Sequence, residues 1–525
     1  MLSFLVRRLI ASALLLLVAS FLVYILLSYA GDPLGFINEI SDPKVREEIR
    51  RSVTERLNLG TPRVARYFLW LGDVFPLDVK SAFPWITWDG LDFGISARTQ
   101  LSVNDDLKSR LPLTLKLVAG ATVLSITLGV TTGIVTALRQ YTGFDYIVTF
   151  FTFLFFSLPV FWVAVILKEW GGINFNDWWR DGAHMPPFVI VLAGVFAGII
   201  GYSIAGGRWT RRLPIALGSA AAGAGLFLYL SESGWFVHPG VGLAVLIPIA
   251  AAIAVGATAV FAGIGNKRAL GSTLTTAAVG VALYLPLQEY FDGPRFAWKH
   301  ALLLAVIALA AGALIGFLWG GYDKGLSAKV SAVVAFLIGF VIFLDRHMQS
   351  WNDYASDSIT RNRPIKTIGH REPRFADHGF WVVNNDLFAH MILPTLALML
   401  ISLAGYTRYT RASMLEVLNL DYIRTARAKG LTERTVVVRH GLRNALIPLA
   451  TIVAFDIGGL LGGAVITETV FEWAGMGRFF IDGLNNLDPN VVMAATMVVG
   501  ATAVLANMIA DILYSVLDPR IRLNS

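Results

Sequence analysis

Apolar residues in this chain run in blocks of about twenty, too uniform for the one-sided stripe of a surface helix, and the blocks end at charged or turn-forming residues. The hydrocarbon core of a bilayer, about 30 Å thick, takes roughly 20 apolar residues in helical form, so the pattern predicts about twelve membrane-spanning helices. The first covers Leu9 to Tyr29 behind Arg7 and Arg8; no small-residue cleavage site follows it, which predicts a retained helix and not a signal peptide. Two more, near Leu111 to Leu138 and Tyr146 to Leu167, are joined by the short loop Arg139 to Asp145 as a tight hairpin. Six follow in an Ala, Gly, Val and Leu-rich stretch, near 187–205, 213–230, 241–264, 272–287, 300–320 and 328–344, and three close the chain near 387–406, 448–466 and 491–514.

Polar stretches divide these helices. The expected organisation is a first transmembrane helix (1–30), an external loop or domain (31–108), helices two and three (109–170), an inserted six-helix membrane bundle (171–345), an external segment (346–386), and three last helices (387–525) that hold a cytoplasmic loop, 407–447. The fold class is all-α, a polytopic membrane protein of about twelve transmembrane helices.

Composition supports the bilayer as solvent: of 525 residues, 55% are hydrophobic and only 15% charged, and mean hydropathy is +0.63. The absence of cysteine excludes disulfides, thiolate metal sites and a cysteine nucleophile. A net charge of +7 could suggest nucleic acid, but the basic residues sit in short segments beside apolar helices, where membrane topology puts them, so no nucleic-acid partner is expected.

Lys and Arg in short loops stay preferentially on the cytoplasmic side. With the N-terminus inside, the inner loops of the six-helix stretch carry Arg208, Arg211, Arg212, Lys267, Arg268, Lys324 and Lys329, and its outer loops only Arg295 and Lys299. The same threading places Thr407 to Ile447, with eight basic residues, and the tail with Arg520 and Arg522 inside. Both termini are therefore expected in the cytoplasm.

Within that loop, Asp421 is expected to N-cap a two-turn helix, with Arg427 and Lys429 at its negative end and Gly430 in the left-handed position that stops it. Tyr422, Ile423 and Ala426 give one apolar side; Arg424, Arg427 and Lys429 offer polar contacts. On physical grounds alone, such a helix could equally rest on anionic lipid.

The order of four motifs, ASMLEVLNLDYIRTARAKGL at 412–431, RHGLRNALIP at 439–448, LLGGAVITETVFEWAGMGRFF at 460–480 and DILYSVLDPRIR at 511–522, resembles the permease subunits of binding-protein-dependent ABC importers, their dipeptide and oligopeptide branch in particular. Gly31-Asp32-Pro33, RLPLTLKL at 110–117 and SLPVFW at 157–162 agree, so the resemblance covers roughly 1–170 and 380–525 and leaves out the six helices between. It implies a six-helix type I importer permease core with six inserted helices, in a bacterial cytoplasmic membrane. Its implied partners are a second related permease, two ATP-binding subunits, an extracytoplasmic peptide-binding protein and membrane lipid. The chain has no G-x-x-x-x-G-K-[ST] segment to cradle phosphates, so ATP and Mg are expected on the partner subunits, with no cofactor on this chain and no enzymatic activity of its own.

The resemblance also assigns roles. Asp421, Tyr422, Ile423, Arg424, Thr425, Ala426, Arg427, Ala428, Lys429 and Gly430, with Arg443 and Pro448, form the loop that engages an ATPase. Arg424 and Thr425 depart from the Glu-Ala pair that opens the family's Glu-Ala-Ala signature. Glu468, Glu472, Trp473 and Gly475 fall in the segment that folds back at the outer mouth and helps gate it, although a plain external loop is the alternative. Asp456, in the middle of an apolar helix, is a candidate for meeting a peptide's amino group in the pore, with a structural hydrogen bond as the other reading. Gly458, Gly459, Gly462 and Gly463 form overlapping G-x-x-x-G patterns suited to close helix packing near the partner permease. His347, His370, His378 and His390 show no metal-ligand spacing, so no metal is assigned. The stretch 31–108 is expected to receive the binding protein.

Other classes stay open on sequence grounds: a twelve-helix secondary transporter, an external sensor that moves nothing, or the same importer family carrying nickel or another small peptide-like solute. Against a secondary transporter stand the single midplane acid and the lack of evident repeated halves.

Overall fold

A computed structural model describes residues 2–75 and 91–517. In chain order its helices are α1 (Leu2–Ala30), α2 (Pro43–Arg56), α3 (Arg63–Val74), α4 (Val103–Leu138), α5 (Gly143–Ser157), α6 (Val160–Ile166), α7 (Phe175–Arg180), α8 (Pro187–Ile204), α9 (Trp209–Glu232), α10 (Gly242–Phe261), α11 (Lys267–Ala282) and α12 (Tyr284–Phe291). They continue with α13 (Trp298–Trp319), α14 (Lys324–Gln349), α15 (Trp351–Ala355), α16 (Phe380–Leu418), α17 (Asp421–Ala428), α18 (Glu433–Thr435), α19 (Arg443–Val470), α20 (Met476–Asn485) and α21 (Pro489–Leu517). Among the described residues the only extended pairing is a single bridge, Ile95 to Ser102.

Nine helical spans among the described residues are long and apolar enough to cross a bilayer, and eleven if two bent pairs each count as one. The 28-residue helix α19 is a further long one. The all-α polytopic class follows, and the six central apolar blocks fall on α8, α9, α10, the bent pair α11 and α12, α13 and α14. One expectation is corrected: the block Tyr146 to Leu167 is not one straight helix, because its two helical parts meet at 107° where Leu158 and Pro159 adopt extended backbone. Proline lacks the N–H that would continue α5 and disfavours the helical region for Leu158 before it.

The chain divides into two compact units. The first is Met1–Gly172, Thr367–His370 and His390–Ser525; the second is Ile173–Lys366 and Arg371–Ala389. The division thus falls at 173, and the segment 346–386, expected to be external, is shared, with only Thr367–His370 in the first unit.

In the first unit, α4 and α16 cross closely at two glycines. A Cβ on Gly129 would lie 2.7 Å from the Tyr406 Cβ, and one on Gly133 would lie 2.6 Å from the Thr410 Cβ. Helices in lipid gain no hydrophobic drive from one another, so such close approach supplies the attraction. A second cluster packs Tyr24, Tyr67, Trp70 and Val74 of α1 and α3 with Met476, Phe479 and Val491. Much of the stretch 31–108 is therefore helical and packed, since Tyr67 also hydrogen-bonds Ser20 at 2.8 Å.

In the second unit, α13 lies against α14 through Gly312, whose Cβ would meet the Ala335 Cβ at 2.7 Å, and through Gly316, whose Cβ would meet the Ala328 Cα at 2.6 Å. The hairpin α8–α9 uses Gly194 and Gly198 against Ala224 and Ala220 in the same way. Buried Asp345 caps the start of α10 by accepting from the Val241 N–H at 2.6 Å, and it also accepts from the Tyr284 hydroxyl. Tyr354, Ala355 and Phe375 pack with Trp179 and Ala183 in an aromatic-rich core of this unit.

Candidate functional site

The loop after α16 is built around α17. Asp421 is its first helical residue and not its cap: Leu420 occupies the cap position and no side chain bonds there, which corrects the expectation. The carboxylate still favours the positive helix end, and it lies 3.5 Å from Arg424. The far end is as expected. Gly430 has a φ of +77°, its N–H donates to the Arg427 carbonyl at 2.9 Å, and the Leu431 N–H reaches Ala426 at 3.4 Å. That pair of bonds closes a helix only where the residue after the cap is left-handed, and glycine takes that conformation without strain.

The buried face of α17 is Ile423 and Ala426, which pack with Val436 and Leu418. Tyr422 is not part of it. Its ring is half-exposed and its hydroxyl accepts from Asn444 at 2.7 Å, tying α17 to the start of α19. Arg427 forks onto Glu433 at 2.7 and 3.1 Å, and this hydrogen bonding holds the Glu433 carboxyl below its ordinary value. Arg424, Thr425, Ala428 and Lys429 face outward. Arg443 opens α19, and Pro448 lies inside its second turn, on the exposed side.

About two helical turns before the end of α16 is a pair that sequence reasoning missed. Arg411 of α16 donates through both Nε and Nη2 to buried Asp145 at 3.0 Å each, and Tyr141 adds its N–H at 3.1 Å. A bidentate fork fixes direction as well as distance, so it orients the end of α16 that leads into α17. No local pattern links positions 145 and 411.

The segment expected at the outer mouth follows α19. Glu468 is fully buried; it accepts from the Thr114 hydroxyl at 2.6 Å and from the N–H groups of Gly477 and Arg478 at 2.7 and 3.1 Å. It thereby satisfies the free amides that open α20 and folds that helix back against α19. Trp473 is fully buried beside Leu117, Val118 and Leu398. A Cβ on Gly475 would collide with the Glu468 carboxylate and the Thr114 hydroxyl, so only glycine fits. Glu472 stands apart from these: it is exposed, has a φ of +50°, and lies 3.6 Å from Arg478.

Asp456 is half-buried in α19 and neighbours the Tyr406 hydroxyl of α16 without reaching hydrogen-bond geometry. Gly458, Gly459, Gly462 and Gly463 lie on α19 where packing is outside the described residues, as is the tail 518–525. Among the described residues no group of three His, Asp or Glu could hold a metal.

Comparison with known proteins follows the same parts of the chain. The family model described as the binding-protein-dependent transport system inner membrane component matches residues 328–523, and its N-terminal companion matches 1–118. The oligopeptide transport system permease protein OppB of Mycobacterium tuberculosis (strain ATCC 25618 / H37Rv) is 37% identical over 258 residues, covering 48% of this chain and 76% of its own. The dipeptide transport system permease protein DppB of Escherichia coli (strain K12) is 51% identical over 137 residues, 26% of this chain and 40% of its own. The oligopeptide transport system permease protein AppB of Bacillus subtilis (strain 168) is 50% identical over 136 residues, 26% of this chain and 43% of its own. Residues 119–327, with most of the inserted helices, fall outside both family matches. Matched at both ends and extending over three quarters of a relative, this multi-pass chain belongs to the family of binding-protein-dependent transport system inner membrane components, the permease subunits of ABC importers.

Proposed function

We propose that this permease carries dipeptides or oligopeptides, released by an extracytoplasmic binding protein, through a pore formed with a second related permease, and that two ATP-binding subunits with ATP and Mg power it. The observation that supports this most is the form of α17: a short helix, stopped by a left-handed glycine, with an apolar face of Ile423 and Ala426 held against its own chain and a polar face of Arg424, Thr425 and Lys429 turned out. A part that transmits force must keep its shape under load, and this one is fixed by its glycine cap, by the Tyr422–Asn444 bond and by the Arg427–Glu433 fork.

On this reading α17 docks on an ATPase at the cytoplasmic face, both termini are cytoplasmic, and the membrane is the bacterial cytoplasmic membrane. The ATPases drive the switch only through a difference in their affinity for the two permease states. Glu468, Trp473 and Gly475 belong to an outer-mouth segment, and Asp456 offers a carboxylate to a cationic substrate group. Peptide is favoured because the relatives named above are dipeptide and oligopeptide permeases. Purification from native membranes tests the assembly: one related permease, two ATPases and a peptide-binding protein are expected to accompany the chain, and purification alone or with unrelated partners would refute it.

A further inference from the structure

Thr367–His370 is flanked on both sides, at Lys366 and Arg371, by residues of the second unit, yet it groups with the first. Its contacts explain this. The Gly369 N–H donates to the Phe471 carbonyl at 2.9 Å, and the His370 ring stands edge-on to Trp473 with centroids 6.1 Å apart. Thr367 packs over Gly172, where a Cβ would lie 2.5 Å from the threonine Cγ2.

Gly369 has a φ of +82°, a conformation that strains other residues, while the nearest atom to a Cβ there would be His390 Cδ2 at an ordinary 3.9 Å. Backbone shape, and not crowding, asks for glycine here. The acceptor is also telling. The last carbonyls of a helix have no partner within it, and a polar group left bare away from water is costly. At the end of α19 two are satisfied from outside, Val470 by the Lys168 ammonium at 3.0 Å and Phe471 by Gly369. Phe471 and Trp473 are themselves buried, so the stretch holds the packed part of the segment that follows α19.

We propose that Thr367–His370 is a tether through which the inserted part of the chain controls the outer segment Phe471–Gly475. Gly369 and His370 are positioning residues: they hold that segment at rest, and it shifts only when the tether shifts with it. The inference rests on the outer-mouth reading above, and it gives the inserted helices a task.

The test uses the complete importer in proteoliposomes. His370→Ala and Gly369→Ala loosen the tether and are expected to raise ATP hydrolysis in the absence of binding protein by roughly fivefold, the scale of a modest coupling between sites. Trp473→Ala, inside the outer segment, is expected to do the same. If Trp473→Ala leaves that rate unchanged, the outer-mouth reading fails and the tether with it. If Trp473→Ala raises the rate and both tether variants leave it unchanged, the tether alone is overturned. A second arm exploits the absence of cysteine: Gly172→Cys with Thr367→Cys puts the two Cβ atoms 3.8 Å apart, a disulfide's ordinary spacing. Oxidation is expected to cut transport by roughly fivefold, and reductant to restore it. Full transport with the bond formed would overturn the claim that the tether moves.

Discussion

The Glu468 carboxylate receives the Gly477 N–H at 2.7 Å, a bond that joins the last turn of one helix to the first turn of the next and sets the fold-back of α20. Removing it leaves that amide, the Arg478 amide and the Thr114 hydroxyl without their acceptor. Each buried donor so orphaned costs about 1–3 kcal/mol. Glu468→Ala is therefore expected to lower the thermal midpoint of the purified protein by several degrees, with Glu468→Gln in between because it keeps one oxygen. A midpoint unchanged in the alanine variant would contradict the pinning role.

The stop of α17 gives a sharper functional expectation. Proline cannot adopt the +77° φ of Gly430 and removes the N–H that bonds Arg427. Ala426→Asp would push a charge into the contact with Ile423 and Val436. Both variants are expected to insert and assemble, to hydrolyse ATP, and to transport at a small fraction of the normal rate. Parallel assays of hydrolysis and uptake check this; normal uptake in both would refute the coupling role.

Much of this was legible in advance, and the reason is the bilayer. A hydrocarbon slab demands blocks of about twenty apolar residues, and each of the six central blocks lies on α8 to α14. Gly430 was legible because a left-handed helix stop leaves a local mark. The break between Ser157 and Val160 was carried by Pro159 but hidden under a continuous apolar run. The Asp145–Arg411 fork, the Thr114–Glu468 bond and the Gly369–Phe471 bond join residues far apart in the chain, so no periodicity records them.

The Arg427–Glu433 fork is solvent-exposed, which limits its worth to about 0–1 kcal/mol. The Glu433 carboxyl lies below its ordinary value of 4.5, so the stabilisation it adds is complete above that pH and is lost as pH falls through the lowered value. Protection factors of the amides across 421–435, the exchange rate relative to the intrinsic rate at each pH, are expected to be the same at pH 7 and pH 6 and to fall only below about pH 4.5. A change between pH 7 and pH 6 would show that another group controls the loop.

Two glycines of the inserted bundle separate packing from flexibility. Gly316→Ala would drive a methyl into the α14 backbone at Ala328, whereas a Cβ on Gly256 meets nothing within 4 Å. Alanine at 256 gains up to about 1 kcal/mol of helix propensity. Gly256→Ala is expected to keep or raise thermal stability and Gly316→Ala to lower it, measured side by side; equal effects would contradict the close crossing of α13 and α14.

The most direct test of the account is uptake of a labelled peptide into vesicles holding this permease with its co-purified partners. Accumulation is expected to need ATP hydrolysis and the binding protein, to fail with Gly430→Pro while hydrolysis continues, and to ignore a collapsed proton gradient. Uptake driven by a proton gradient with no ATPase present would contradict it.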